Sequence, residues 1–402
     1  PTAGYQAVLV GGGVRDLFQG ISPKDFDLST NASPSQVRKL FRNSRVIGRR
    51  FRLVQVFFPG NKIIELATFR CRTECEDGKK GEVLAHNNTF GDEREDAFRR
   101  DLTINGLFYD IEQESIIDYV GGVQDLDDKI VRIIGDADMR IARDSVRMMR
   151  AIRHAARSGF EIEAATWSAI KTHCQSLSVC PVSRIRDELF KDLHGRASGK
   201  WVRLAAQSGL LTSLLPFYAE VLQGDGVEDE LEQLLTAVDV VQANGGRLKD
   251  DMLLSMLLLP WAKHQFPELQ GGLKTGDAFA LSRVIRDYLK QTMSHLDIKR
   301  ALKEQISTTL SLLALFTKNN GKDWPKWLTK KSYFKHGLLF YGLVQQADGG
   351  PVVAESLWPK APKVYKKATP VVMPKRPSSK RGGGPAYTNS KKKGGVFGFR
   401  KG

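Results

Sequence analysis

Gln6-Ala7-Val8-Leu9-Val10-Gly11-Gly12-Gly13-Val14-Arg15-Asp16, followed shortly by Asp25-Phe26-Asp27, is the stretch on which the reading of this 402-residue chain turns. The apolar run over 6–10 predicts a strand. It breaks into three glycines, an arginine follows, and two carboxylates stand two residues apart soon after. Glycines let backbone N–H groups approach an anion closely, since no Cβ intervenes. They also open a helix whose N-terminus favours negative charge. On a strand, Asp25 and Asp27 point to one face. Two such carboxylates can hold divalent metal of the kind that phosphoryl or nucleotidyl transfer uses.

Outward from this block, the pattern over the first 120 residues is mixed α/β. A short helix is expected over 35–41, after Asn31-Ala32-Ser33-Pro34, and a hairpin over 53–58 and 62–68 turns at Pro59-Gly60-Asn61. A polar loop is expected over 75–89, and a strand over 116–120 closes at Gly121-Gly122. From about Gln124 the period becomes helical. The clearest case is 136–159, read as one helix ended by Gly159. Ile141, Met148, Met149, Ile152, Ala155 and Ala156 share one face of it. Arg140, Arg143, Asp144, Arg147, Arg150, Arg153 and Arg157 lie around the other side. Helical patterns continue over 184–193, 200–215, 231–243, 250–259, 278–293 and 299–316. The expected architecture is α+β: a small mixed-sheet head (1–122), an all-α neck (123–180) and body (181–350), and a basic, disordered tail (351–402).

The formal net charge is +16, with 41% hydrophobic and 26% charged residues. It is unevenly placed. From Lys360 onward there are 13 Lys or Arg and no acid, which leaves +3 for the rest. A Pro/Gly/Ser/Lys-rich tail of this kind cannot bury a core. It favours RNA or DNA without reading sequence, through contacts that weaken steeply with salt. Cys71, Cys75, Cys174 and Cys180 are too few and scattered for a disulfide framework, so free thiols in a reducing cytoplasm are expected. No apolar run is long enough to span a bilayer, since the stretch 252–259 stops at Pro260, and no charged-then-apolar leader is visible. The seven histidines show no metal-ligand spacing. Neither a nucleophile elbow nor a Walker-type lysine loop is present.

Taken together and in order, the block from Leu9 to Asp16 and Asp25-Phe26-Asp27 resembles the signature of class II nucleotidyltransferases, the CCA-adding tRNA nucleotidyltransferases and bacterial poly(A) polymerases. Glu95-Asp96-Ala97-Phe98-Arg99-Arg100-Asp101-Leu102-Thr103-Ile104-Asn105 resembles that family's Arg-Arg-Asp motif, which contacts sugar and phosphates. Adjacent arginines supply forked donors suited to phosphate. Without the head motif, Glu95 with Arg99 and Asp96 with Arg100 would read as surface ion pairs. Asp144-Ser145-Val146-Arg147-Met148-Met149-Arg150-Ala151-Ile152-Arg153 resembles the helix that frames the incoming base. This chain departs from it in carrying Arg143 at the family's Glu position and Ser145 at its common Pro. The stretch over 46–56, with Arg49, Arg50 and Arg52, resembles one characteristic of the poly(A) polymerase branch, and its arginines are well placed to meet phosphates of primer or nucleotide. Read blandly, it is a basic strand edge that resists aggregation.

The resemblance implies a template-independent enzyme that adds AMP from ATP to RNA 3′ ends. Asp25 and Asp27 would bind Mg²⁺, and Asp101 would act with them as a third catalytic carboxylate, with Glu65 as second choice. Gly11, Gly12 and Arg15 would hold the triphosphate, and Arg100 and Asn105 would meet sugar and phosphates. Asp144 and Arg147, taken as neighbours on one helical face, would present base-pair-like hydrogen bonds to adenine. Arg150 and Arg153 would reach phosphates or primer. RNA 3′ ends and ATP are the implied partners, with the basic tail gripping RNA and no membrane involved. The alternatives are a CCA-adding enzyme and an inactive RNA-binding protein.

Overall fold

The structure is a computed structural model, described over residues 2–23, 26–48, 52–60, 62–70, 90–271, 273–317, 324 and 326–359. Asp25, Arg49, Arg50, Cys71, Cys75, the expected loop 75–89 and the tail from Lys360 lie outside the described residues. The fold is α+β, a mixed sheet followed by helices.

The sheet strands are β1 (Ala7–Val10), β2 (Asp27–Thr30), β3 (Ser44–Ile47), β4 (Leu53–Phe58), β5 (Lys62–Thr68), β6 (Leu107–Asp110) and β7 (Ser115–Asp118). Their spatial order is β3-β4-β5-β2-β1-β6-β7, and only the β2–β5 pair is parallel. The unbroken apolar run of β1 follows from burial on both sides. Val8 and Val10 pack with Phe69, Phe108 and Ala97 of α3 (Glu93–Arg99), while Leu9 joins Val14 of α1 (Gly12–Phe18) with Leu102 and Leu107. Helix α2 (Pro34–Leu40) starts in a reciprocal capping box between Ser33 and Gln36, with Pro34 in its first turn. Its Val37 packs on Val46, Val54, Val56, Leu66 and Leu28. Side chains alternate along a strand, so Asp27, Glu65, Gln55 and Arg45 project from the opposite face.

The helical part comprises α4 (Gly122–Asp127), α5 (Ala137–Arg143), α6 (Val146–Ser158), α7 (Ala164–His173), α8 (Val182–Leu193), α9 (Ser198–Gln207), α10 (Leu210–Leu214), α11 (Tyr218–Val221), α12 (Val227–Ala243), α13 (Asp250–Gln265), α14 (Thr275–Thr292), α15 (Arg300–Thr317), α16 (Lys326–Thr329) and α17 (Phe334–Ala347). A two-stranded parallel pair, β8 (Ile130–Val131) with β9 (Glu161–Ile162), interrupts the helical pattern. One apolar cluster runs from Leu9 and Val14 through Met148 and Ile152 to Leu253–Leu259 and Phe340, so the sheet and the helices share a core.

Four boundaries differ from expectation, each for a local reason. The stretch 136–159 is two helices, because Asp144 leaves the helical region (φ −147°, ψ 89°) and caps α5. The stretch 200–215 breaks at Gly209, which takes a left-handed φ of 78°. Helix α13 does not stop at Pro260 but continues to Gln265. Proline there removes only the N–H due to Met256, and Tyr218 donates its hydroxyl to the nearby Leu257 carbonyl at 2.5 Å. The strand expected over 116–120 ends at Asp118, whose carboxylate accepts the N–H groups of Val120, Gly121 and Val123. Gly122 is required at that turn, since a Cβ there would lie 2.2 Å from the Thr103 carbonyl oxygen. Among the described residues no helix is long and apolar enough to cross a membrane.

Candidate active site

Three sets of polar groups converge on the open side of the sheet and its junction with α6. The first is a row across the strands. Asp27 pairs in register with Glu65, Glu65 with Gln55, and Gln55 with Arg45. Residues opposite one another on neighbouring strands share a face, so the two carboxylates stand side by side, and Gln55 Nε2 donates to Glu65 Oε1 at 2.8 Å. Asp25, expected beside Asp27, lies outside the described residues. Among the described residues no group of three or more His, Cys, Asp or Glu gathers as a metal cluster.

The second set surrounds the glycine turn. Gly11 adopts φ 69°, donates its N–H to the Leu107 carbonyl at 3.1 Å, and leaves room for Arg100, whose Nη1 would lie 3.2 Å from a Cβ at this position. Arg100 in turn donates to Asp96 at 2.9 Å and lies over the Phe108 ring at 5.1 Å. Gly12 begins α1. Arg15 donates to Asp16 at 2.7 and 3.0 Å and to Asn105 Oδ1 at 2.6 Å. His154 of α6 closes this network, with Arg15 Nη1 3.3 Å from its Nδ1 and Asn105 Nδ2 3.2 Å from its Nε2. Both neighbours are donors. A neutral imidazole has one acceptor nitrogen and takes one of them at a time. Burial, then Arg15, Arg153 and Arg157, push the His154 pKa down to about 3.

The third set is the arginine series of α6. Both carboxylate oxygens of Asp101 accept charge-assisted hydrogen bonds, one from Arg147 and one from Arg150. Burial works to raise the Asp101 pKa, but Arg147 and Arg150 hold it below the ordinary carboxylate range. Asp101 thus faces α6, whereas the expectation was a carboxylate grouped with Asp25 and Asp27. The carboxylate in register with Asp27 is Glu65. Arg150 also lies 3.4 Å from Glu188. Arg153, expected at phosphates or primer, is buried and bound to Glu188 and to Asp192, the latter at 2.7 Å. It is committed to α8 because two buried carboxylates need a cation there. Burial raises the Asp192 pKa; Arg153, Lys191 and Arg150 hold Glu188 down to about 2 against the same effect.

Asp144 is not on one helical face with Arg147, since it sits in the break between α5 and α6. The two remain adjacent, with Arg147 N–H donating to the Asp144 carbonyl at 3.1 Å. Arg184 donates to Asp144 Oδ2 at 2.9 Å. Asp144 Oδ1 and Arg147 Nε are both buried without a hydrogen-bond partner among the described residues. Buried polar atoms are seldom left so, and here one acceptor and one donor remain for something else to meet.

Comparison with known proteins gives this arrangement a family. Residues 7–132 match the Poly A polymerase head domain, and residues 159–222 match a domain described as the probable RNA and SrmB- binding site of polymerase A. The Poly(A) polymerase I of Escherichia coli is 38% identical over 339 residues, covering 80% of this chain and 71% of that protein. The chain belongs to the poly(A) polymerase family of nucleotidyltransferases. It is therefore an enzyme of nucleotidyl transfer. The CCA-adding enzyme of Bacillus pumilus is 37% identical over 211 residues, covering 52% of each chain. Among solved structures, a tRNA-processing enzyme in its apo form aligns over 86% of both chains with a TM-score of 0.61 and 19% identity, a likeness of fold alone.

Several participants were not legible beforehand. Arg140 donates to the carbonyls of Arg99 (3.0 Å) and Arg100 (2.6 Å), clasping the end of α3 to α5. His154, Glu188 and Asp192 belong to the same region. Their sequence signal was a polar residue in an amphipathic helix pattern, which surface exposure explains equally well.

Proposed function

We propose that this chain is a template-independent RNA adenylyltransferase that transfers AMP from ATP to RNA 3′ ends. The observation that carries this reading is the similarity to Poly(A) polymerase I across both the sheet and the helices. It extends over 80% of the chain, against 52% for the CCA-adding enzyme of Bacillus pumilus.

The chain's own residues fit the chemistry. Asp27 and Glu65 offer adjacent hard oxygen donors on one sheet face, which suits Mg²⁺. Asp25, two residues from Asp27, would complete the set. Bound there, the metal would lower the pKa of the RNA 3′-hydroxyl and offset charge on the pyrophosphate that leaves the α-phosphorus. Gln55 orients the Glu65 carboxylate. Gly11, Gly12 and Arg15 form the turn against which the triphosphate would lie, and Arg100 and Asn105 supply donors beside it. The unpaired Asp144 Oδ1 and Arg147 Nε match a nucleobase edge that presents one donor and one acceptor, as the N6 and N1 edge of adenine does. Asp101 keeps Arg147 and Arg150 aimed, acting through them. In this reading the head, 1–122, carries catalysis, the neck, 123–180, selects the base, and the body, 181–350, with the basic residues after Lys360, holds RNA.

The deciding test offers ATP and CTP separately with a generic RNA primer and with a tRNA lacking its terminus. Incorporation of AMP on both primers, with little CMP, is expected. Efficient CMP addition to the tRNA alone would make the CCA-adding reading the correct one.

A further inference from the structure

The sequence between Asp27 and Glu65 contains eight cations and no acid: Arg38, Lys39, Arg42, Arg45, Arg49, Arg50, Arg52 and Lys62. The first 359 residues carry only +3 in all, so this short segment is +8 and the remainder is −5. Charge is therefore segregated within the first 359 residues, a separation that ordinary solubilising lysines do not require.

The fold places four of these cations on two faces. Arg45 belongs to the carboxylate face, in register with Gln55, and precedes Val46, which points the other way. On that other face, Arg38 and Lys39 of α2, with Ser35, Pro34 and Val46 and with Arg52 before β4, line an open cavity of about 420 Å³. Among the described residues none of these three cations has an acidic partner. Strand β3 is the edge of the sheet. A chain of phosphates passing over that edge would meet Arg45 on one side and the Arg38–Lys39–Arg52 cavity on the other.

We propose that this cavity, on the face opposite the carboxylates, is a second contact site for the sugar–phosphate backbone of single-stranded RNA. It holds nucleotides upstream of the 3′ end after they cross the β3 edge. The proposal rests on the RNA 3′-end reading above. Forked guanidinium donors and a lysine suit phosphodiesters, and contacts of this kind carry no sequence information. Only primers long enough to round the edge would feel the site.

The test uses the full chain and the double variant Arg38→Ala with Lys39→Ala, two exposed positions where alanine favours the helix. Binding of a labelled oligoadenylate of about twenty nucleotides and of a trinucleotide is measured by anisotropy across a salt series. The long primer should bind about fivefold or more weakly, with the log–log salt slope reduced by about 1.4 for two lost single-strand contacts. Elongation of the trinucleotide and the melting temperature should not change. The charge-keeping variant Arg38→Lys with Lys39→Arg should retain long-primer binding. Equal losses for both primers, no loss for either, or an unchanged slope would overturn the proposal. So would loss of inhibition by inorganic pyrophosphate with RNA affinity intact, which would make the cavity a diphosphate site. Failure of the wild-type chain to elongate any primer would refute the adenylyltransferase reading, yet the anisotropy would still decide this one.

Discussion

Asp27 and Glu65 stand in register on one face, and Asp101 does not join them. Three substitutions separate their roles. Asp27→Ala should lower transfer by a thousandfold or more, roughly the several kcal/mol a metal clamp supplies, with an unaltered circular dichroism spectrum; near-normal turnover would remove it from metal binding. Glu65→Gln should also depress turnover and shift the magnesium concentration needed for half-activity. Asp101→Asn should act differently, lowering the melting temperature because Arg147 and Arg150 lose their shared anion. His154 allows a pH argument. Its folded-state pKa lies below its unfolded value, so the folded state binds fewer protons between those values. Stability is complete above about pH 6.5 and is lost as pH falls toward 3, by about 2 kcal/mol at pH 5. His154→Gln should flatten that part of the pH–stability curve, measured by urea unfolding. An unchanged curve would mean that the ring does not stay neutral among its arginines.

At the scale of elements, the strand before the glycine turn and the hairpin over 53–58 and 62–68 were readable because their apolar runs and turn residues agree, whereas β2 and β6, which flank β1, were not singled out. The 35–41 helix was readable because Asn31-Ala32-Ser33-Pro34 supplies a start signal, which the structure completes with Gln36 in a capping box. The break at Asp144 was not. Nothing in the 3.6-residue period marks it, because the apolar positions keep their phase across the interruption while Arg184 holds the Asp144 carboxylate where its backbone leaves the helical region. Pro260 misled in the opposite direction, since a helix buried on all sides around the proline can tolerate one missing hydrogen bond where its neighbours hold it. Gly122 offers a test at this scale. Ala at this position would press a Cβ into the Thr103 carbonyl, and Gly122→Ala should cost about 1–3 kcal/mol of unfolding free energy.

Across the whole molecule, a charge ladder joins the segment after α3 to α8 by way of α6: Asp101 to Arg147 and Arg150, then Arg150 and Arg153 to Glu188, then Arg153 to Asp192. Arg153→Met should destabilise by about 3–5 kcal/mol, because it takes the ion-pair partner from the buried Asp192 and leaves Glu188 with only Lys191 and Arg150. A melting temperature within a degree of wild type would show that the ladder does not depend on it. Truncation after Trp358 removes 13 cations and tests the role proposed for that region in RNA affinity. The salt dependence of RNA binding should flatten; an unchanged slope would exclude that role.

The amino-acid order alone determined the class of chemistry. Glycines, paired carboxylates and adjacent arginines are local signals, and each works through the residue type itself. Which carboxylate stands in register with Asp27, and which arginine neutralises buried acids, were decided only in three dimensions. Glu65 reaches Asp27 through a parallel ladder from a distant strand, and Arg153 is withdrawn from solvent by two acids of α8. An ionic side chain looks the same in sequence whether it binds substrate or its neighbour; only the partner it finds on folding tells the two apart.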